Sequence, residues 1–195
     1  MKKLILISTI ILILSCENKI TEIRYYPTDR EFHLDNVKLI GLDTTKLNFR
    51  EITDKIEPIY SSSSILVLEF DDGQIKKRVM PYIFGVESYY NWNVLKIQSD
   101  SIQIDDGYSI KELKWILKRH YLNKGKIANY SESPQTALVK ISVDTSKNGK
   151  ELKKLLTKLT RSFDEIKKAI NDTIELRVFL DYLKPPPPPP KMEDE

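Results

Sequence analysis

The chain has 195 residues, a formal charge of +3, one cysteine and two histidines. That length suits one ordinary domain with appendages, and a hydrophobic fraction of 41% is enough to build a core. The lone Cys16 excludes a disulfide scaffold and a Cys-rich zinc site, and none of the six glycines lies in a G-x-G-x-x-G or Walker pattern. With 31 basic residues against 28 acidic ones, the small positive excess is no nucleic-acid signature.

Met1-Lys2-Lys3 is a short positive n-region, Leu4 to Leu14 is apolar apart from Ser8 and Thr9, and Ser15-Cys16 follow. Charge, apolar run and small residue in that order predict a secretory signal. The run is too short to span about 30 Å of hydrocarbon. Ile13-Leu14-Ser15-Cys16 resembles the lipobox of bacterial lipoproteins. That resemblance implies cleavage before Cys16, fatty acylation (palmitate-type) of its thiol and new amine, and a membrane-lipid anchor, each buried methylene contributing about 0.8 kcal/mol. The anchored domain would face the periplasm or the cell surface, from the inner or the outer membrane. The blander reading is an ordinary signal, or a short membrane anchor that ends at Cys16. Loss of residues 1–15 removes Lys2 and Lys3 and no acid, so the formal charge falls from +3 to +1.

Residues 16–35 read as the lipidated cysteine and a polar tether, and 36–91 as a β-rich region of no assigned role. Asn36 to Asp43 predicts a strand; 44–60 is mixed and yields no prediction. Ser61-Ser62-Ser63-Ser64 has no G-x-S-x-G or S-x-x-K surroundings and reads as a loop. Ile65–Phe70 and Ile75–Met80, flanking Asp72-Gly73, predict a hairpin that Pro81 ends. Val94–Gln98 and Ser101–Ile104 predict two short strands around Ser99-Asp100. Ser109-Ile110-Lys111-Glu112 has capping-box spacing, and Ile110, Leu113, Leu117 and Tyr121 predict a helix over about 110–123. Thr136–Val143 predicts a central strand. Leu152, Leu155, Leu156, Leu159, Phe163, Ile166 and Ile170 form one face of a helix over about 149–170. Thr173–Leu180 alternates as a strand, with a further helix as the alternative. Pro185–Pro190 favours polyproline II before the acidic tail, as a spacer or as a docking motif. The fold class expected is α+β: over 92–183, a small sheet in the order strand–strand–helix–strand–helix–strand, with two helices on one face.

That order, with its residues, resembles the periplasmic domain of the ExbD/TolR biopolymer-transport family, especially its Bacteroidetes-type versions. The residues that carry the likeness are the strand pair Val94–Gln98 and Ser101–Asp105, the helix opening Ile110-Lys111-Glu112-Leu113-Lys114, and Ser133-Pro134 followed by Ala137–Asp144. The resemblance implies a dimerising envelope domain that contacts proteins of an ExbB/ExbD/TonB- or Tol-like complex, or peptidoglycan. The family's transmembrane helix with a titrating aspartate has no match here: Leu4–Leu14 holds no acid. The motor role therefore does not carry over.

Asp71-Asp72 and Asp105-Asp106 each precede a turn glycine, which explains them without catalysis. His33 lies among Asp29, Glu31 and Asp35 on a polar stretch, and His120 lies late in a helix. No catalytic residue, cofactor or metal site is expected, and an envelope hydrolase built from scattered carboxylates is the remote alternative. The polar face of the last helix carries Lys153, Lys154, Lys158 and Arg161, which read as a solvated face or as contacts to a partner or cell-wall polymer. Aromatics are scarce there, so no nucleic acid is expected.

Overall fold

The computed structural model describes residues 19–29, 32, 36–82, 93–170 and 173–182. The cleavage site, Cys16, His33 and the proline run lie outside them. Within them the protein is a mixed α/β structure with one four-stranded and one six-stranded sheet.

The first sheet is built from β1 (Glu22–Tyr26), β2 (Val37–Gly41), β3 (Ile65–Asp72) and β4 (Ile75–Val79), in the order β1-β4-β3-β2. The hairpin β3–β4 forms as its alternation predicts: Leu68 lies opposite Val79 and Phe70 opposite Lys77, with Gly73 at φ +66° in the turn. β2 lies parallel to β3 and β1 parallel to β4. The tether expected over 16–35 is thus shorter than its composition implies. Glu22–Tyr26 completes the sheet, and Tyr26 reaches the core.

The stretch 44–60 contains two short helices, α1 (Phe49–Asp54) and α2 (Ile56–Ser61). Asn48 caps α1: its side chain accepts from Glu51 N at 2.9 Å, and the Glu51 carboxylate accepts from Asn48 N at 2.8 Å. The helix breaks at Lys55. Pro58 has no N–H to return to residue 54, and proline is tolerated only in a first turn, which is where α2 places it.

The second sheet has the order β5-β10-β9-β6-β7-β8, from β5 (Pro81–Tyr82), β6 (Val94–Ile97), β7 (Ser101–Gln103), β8 (Tyr108–Ser109), β9 (Leu138–Ile141) and β10 (Val178–Leu180). Pro81 does not end the β structure. It opens the edge strand of this sheet, a position where a missing donor costs least. β10 is shorter than the expected 173–180: three residues ladder with β9, while Ile174 and Leu176 before them remain buried. β6, β9 and β10 run parallel, joined by α3 (Leu113–Leu122) and α4 (Gly149–Ala169). A 3-10 turn, Ile110–Glu112, precedes α3, and the Ser109/Glu112 capping box forms. Asn148 caps α4 by accepting from Lys150 N and Glu151 N at 3.0 and 3.2 Å.

One apolar cluster joins the two sheets and α4. It takes Leu95, Ile97, Val139, Ile141, Val178 and Leu180 from the second sheet and Tyr26, Leu66, Leu68, Phe70 and Val79 from the first. The stripe Leu152, Leu155, Leu156, Leu159, Phe163 and Ile166 of α4 lies in the same cluster. Each such side chain contributes about 1.5–3 kcal/mol when fully buried. Val94, Leu138 and Phe179, on the other face of the second sheet, form a small separate cluster with Tyr82.

Candidate functional site

Alternation puts Ile75, Lys77 and Val79 on the inward side of β4, so a lysine enters the core with its apolar neighbours. Lys77 is only 1% exposed. Its ammonium donates to Thr160 Oγ1 of α4 at 2.8 Å and pairs with Asp72 at 2.8 Å, and Asp164 lies 3.9 Å away. The Thr160 hydroxyl in turn donates to Leu156 O at 2.8 Å. Burial of an ammonium is tolerated only with such partners.

Asp164 is the second node. Arg24 Nη1 donates to it at 2.6 Å and the Tyr26 hydroxyl at 2.9 and 3.0 Å. Burial, and then the Asp164 carboxylate, push the Tyr26 phenol well above its usual range, so it stays a donor. Asp72 also takes Arg161 from α4, Nε at 3.0 and 3.1 Å. The Arg161 and Lys77 bonds hold the Asp72 carboxyl down to about 2 against the cost of burial. This polar layer ties β1, β3 and β4 to α4. A cleft of about 650 Å³ opens beside it, lined by Arg24, Tyr26, Asp164 and Lys168 among others.

The four basic residues that the sequence singles out on α4 are therefore not equivalent. Arg161 binds Asp72, and Lys153 binds Asp43 after β2, so both clasp the first sheet. Lys154 points outward, 71% exposed, and pairs with Glu151 one turn back. Lys158 has no ion pair among the described residues. Lys147, Lys154 and Lys158 line a groove of about 520 Å³ whose walls include Val143, Leu155 and Ser99 of the β6–β7 turn. Lys153 and a single acid, Glu151, also line it, and this excess of cations beside Val143 and Leu155 suits an anionic, partly apolar ligand.

The remaining candidates separate. Asp71 pairs with Lys76 at 2.9 Å. Asp105, at φ +50°, accepts the Tyr130 hydroxyl at 2.8 Å. His120 is fully buried; its Nδ1 accepts from Ser131 N at 3.2 Å, and its Nε2 has no hydrogen-bond partner among the described residues. Burial lowers it to about 4, so the ring is neutral near pH 7. Ser131, Ser133, Thr136 and Asn93 form a hydrogen-bonded polar knot beside it. Among the described residues, no group of three or more His, Cys, Asp or Glu is placed to hold a metal, and no helix is long and apolar enough to cross a membrane.

Lys77 and Asp164 escape a reading based on motifs. The available signal was a lysine at an inward position of an alternating strand, opposite Phe70. These features define a two-sheet α/β protein with a buried ionic joint and an outward lysine groove. No family model, no curated protein and no solved structure matches the chain.

Proposed function

We propose that the chain is a non-enzymatic lipoprotein of the bacterial cell envelope, held by acylated Cys16, with a domain that acts as an accessory or scaffold in an ExbD/TolR-like transport or envelope-integrity system. The observation that carries the anchor is Leu14-Ser15-Cys16 closing the apolar run Leu4–Leu14 behind Lys2-Lys3. The strand–helix order over β6 to β10, with β6, β9 and β10 parallel, supports the ExbD/TolR-like reading. The engagement of Asp71, Asp72 and Asp105 in ion pairs or hydrogen bonds supports a scaffold over a hydrolase. In cells fed an alkyne fatty acid, the wild-type chain is expected to label and Cys16→Ala to lose the label. Equal labelling of both removes the anchor from this account. In-cell cross-linking is expected to trap subunits of a proton-driven envelope complex, and recovery of none contradicts the scaffold role.

A second reading is a module that binds an anionic cell-wall polymer. The lysine groove at the start of α4 favours it. Pelleting with purified peptidoglycan tests it, with charge reversal at Lys154 and Lys158. Lys153 and Arg161 are unsuitable for that test, because reversal there breaks the ion pairs that join α4 to the first sheet.

A further inference from the structure

The turn that leads into α1 and the turn that leads into α4 are written in nearly the same residues. Leu42-Asp43-Thr44-Thr45-Lys46-Leu47-Asn48 stands against Val143-Asp144-Thr145-Ser146-Lys147-Asn148, with Leu47 as an extra residue in the first. The likeness continues as Arg50-Glu51-Ile52 against Lys150-Glu151-Leu152, then Ile56 and Ile59 against Leu156 and Leu159. The architecture follows the same plan. β2 passes through its turn and α1–α2 to the parallel strand β3, and β9 passes through its turn and α4 to the parallel strand β10. In both, the asparagine side chain caps the helix and accepts from the glutamate N–H three residues on, at 2.9 Å from Glu51 and 3.2 Å from Glu151.

The two turns also touch each other at their capping asparagines. Asn48 and Asn148 form an antiparallel bridge. Phe49 N donates to Lys147 O at 2.6 Å, and Gly149 N donates to Leu47 O at 3.2 Å. These two bonds are the reciprocal pair that any antiparallel bridge contains, and a third, from Arg50 N to Thr145 O at 3.3 Å, adds to them from the α1 side. The first N–H groups of a helix lack partners inside it, so each turn supplies what the other's helix needs. The fit is close. A Cβ at Gly149 would lie 2.5 Å from Thr45 Cγ2. Thr45 is β-branched, and its Oγ1 accepts from Leu47 N at 3.2 Å, so it cannot swing aside without losing that bond.

We infer that the chain is an internal duplication paired with itself: residues 37–72 take, within one chain, the place a second copy of 138–180 would occupy. The surface at Asn148 and Gly149 fits a strand-to-helix turn of its own kind, and that partner is supplied in cis. The chain is therefore a monomer with respect to this face, whatever the anchor or envelope partner.

The test uses a soluble form beginning at residue 17, which keeps every described residue, studied by light scattering and urea unfolding. Glycine to alanine inside a helix normally stabilises it. Here Gly149→Ala is expected to lower the urea midpoint, and adding Thr45→Ser, which removes Cγ2 and copies Ser146, is expected to restore most of it. All three proteins are expected at monomer mass. A wild-type dimer that Gly149→Ala dissociates, a raised midpoint for Gly149→Ala, or a double variant no better than the single one would each overturn the inference.

Discussion

The six-stranded sheet and α3 meet α4 in an apolar cluster, with a single exposed ion pair, Lys114–Glu165 at 2.5 Å, between the two helices among the described residues. The four-stranded sheet shares that cluster but adds Lys77, Asp72, Arg24 and Tyr26 against Thr160, Arg161 and Asp164. Apolar burial is non-directional and tolerates sliding. A buried ammonium that must find Thr160 and Asp72 does not tolerate it. One face of α4 is thus held by area and the other by position. A face that composition reads as solvated lysines is, at Lys153 and Arg161, an internal joint.

The strongest way to break the positional joint is Lys77→Ala. It leaves Asp72 and Asp164 without their buried partner, and the expected cost is about 3–5 kcal/mol. Urea unfolding measures it, and a loss under about 1 kcal/mol would show that the layer is not a joint.

The next largest effect belongs to the six-stranded side and depends on pH. His120 has a folded pKa of about 4 against 6.5 in the open chain, because burial disfavours its charged form. Between those values the unfolded chain binds more protons. Stability is therefore full above about pH 6.5, falls as the pH drops, and levels off near 4, a total of about 3 kcal/mol. Asp72 titrates lower, its contribution being lost only as pH falls from about 3.8 toward about 2. Urea midpoints between about pH 7.5 and about pH 4.5 should show the decline, and His120→Gln should flatten it. A wild type that is level across that window would place His120 in water.

Smaller effects compare the two helix starts. Asn48→Ala and Asn148→Ala should each cost about 1 kcal/mol, since each removes a cap from a related turn. A strongly unequal pair would argue against their equivalence. The smallest effect is at the outward lysines: Lys158→Glu should change stability by less than about 0.5 kcal/mol. Loss of peptidoglycan pelleting at unchanged stability would then assign the groove to binding, and a large drop in stability would make Lys158 part of the joint.

The elements legible in the sequence are those with local signals. The Asp72-Gly73 hairpin, the Ser109–Glu112 box and the long stripe of α4 each lie within a few turns of chain. Helices α1 and α2 escaped because six residues hold too little periodicity, although Asn48 and Glu51 already had capping-box spacing. The membership of Pro81–Tyr82 in the second sheet escaped because Pro81 looks like an end and is an edge. The joint escaped for a different reason. Lys77 and Thr160 stand 83 residues apart, and Arg24 and Asp164 stand 140 apart, so no local pattern couples them. The likeness of Asp43–Asn48 to Asp144–Asn148 was present in the residues, and an internal comparison would have found it.

The most direct test of the positional joint is a double-mutant cycle by urea unfolding between Tyr26→Phe and Asp164→Ala. The first removes only the hydroxyl that β1 sends to α4, and the second removes its acceptor. The account predicts a coupling of about 1 kcal/mol or more, and a coupling within about 0.3 kcal/mol of zero would contradict it.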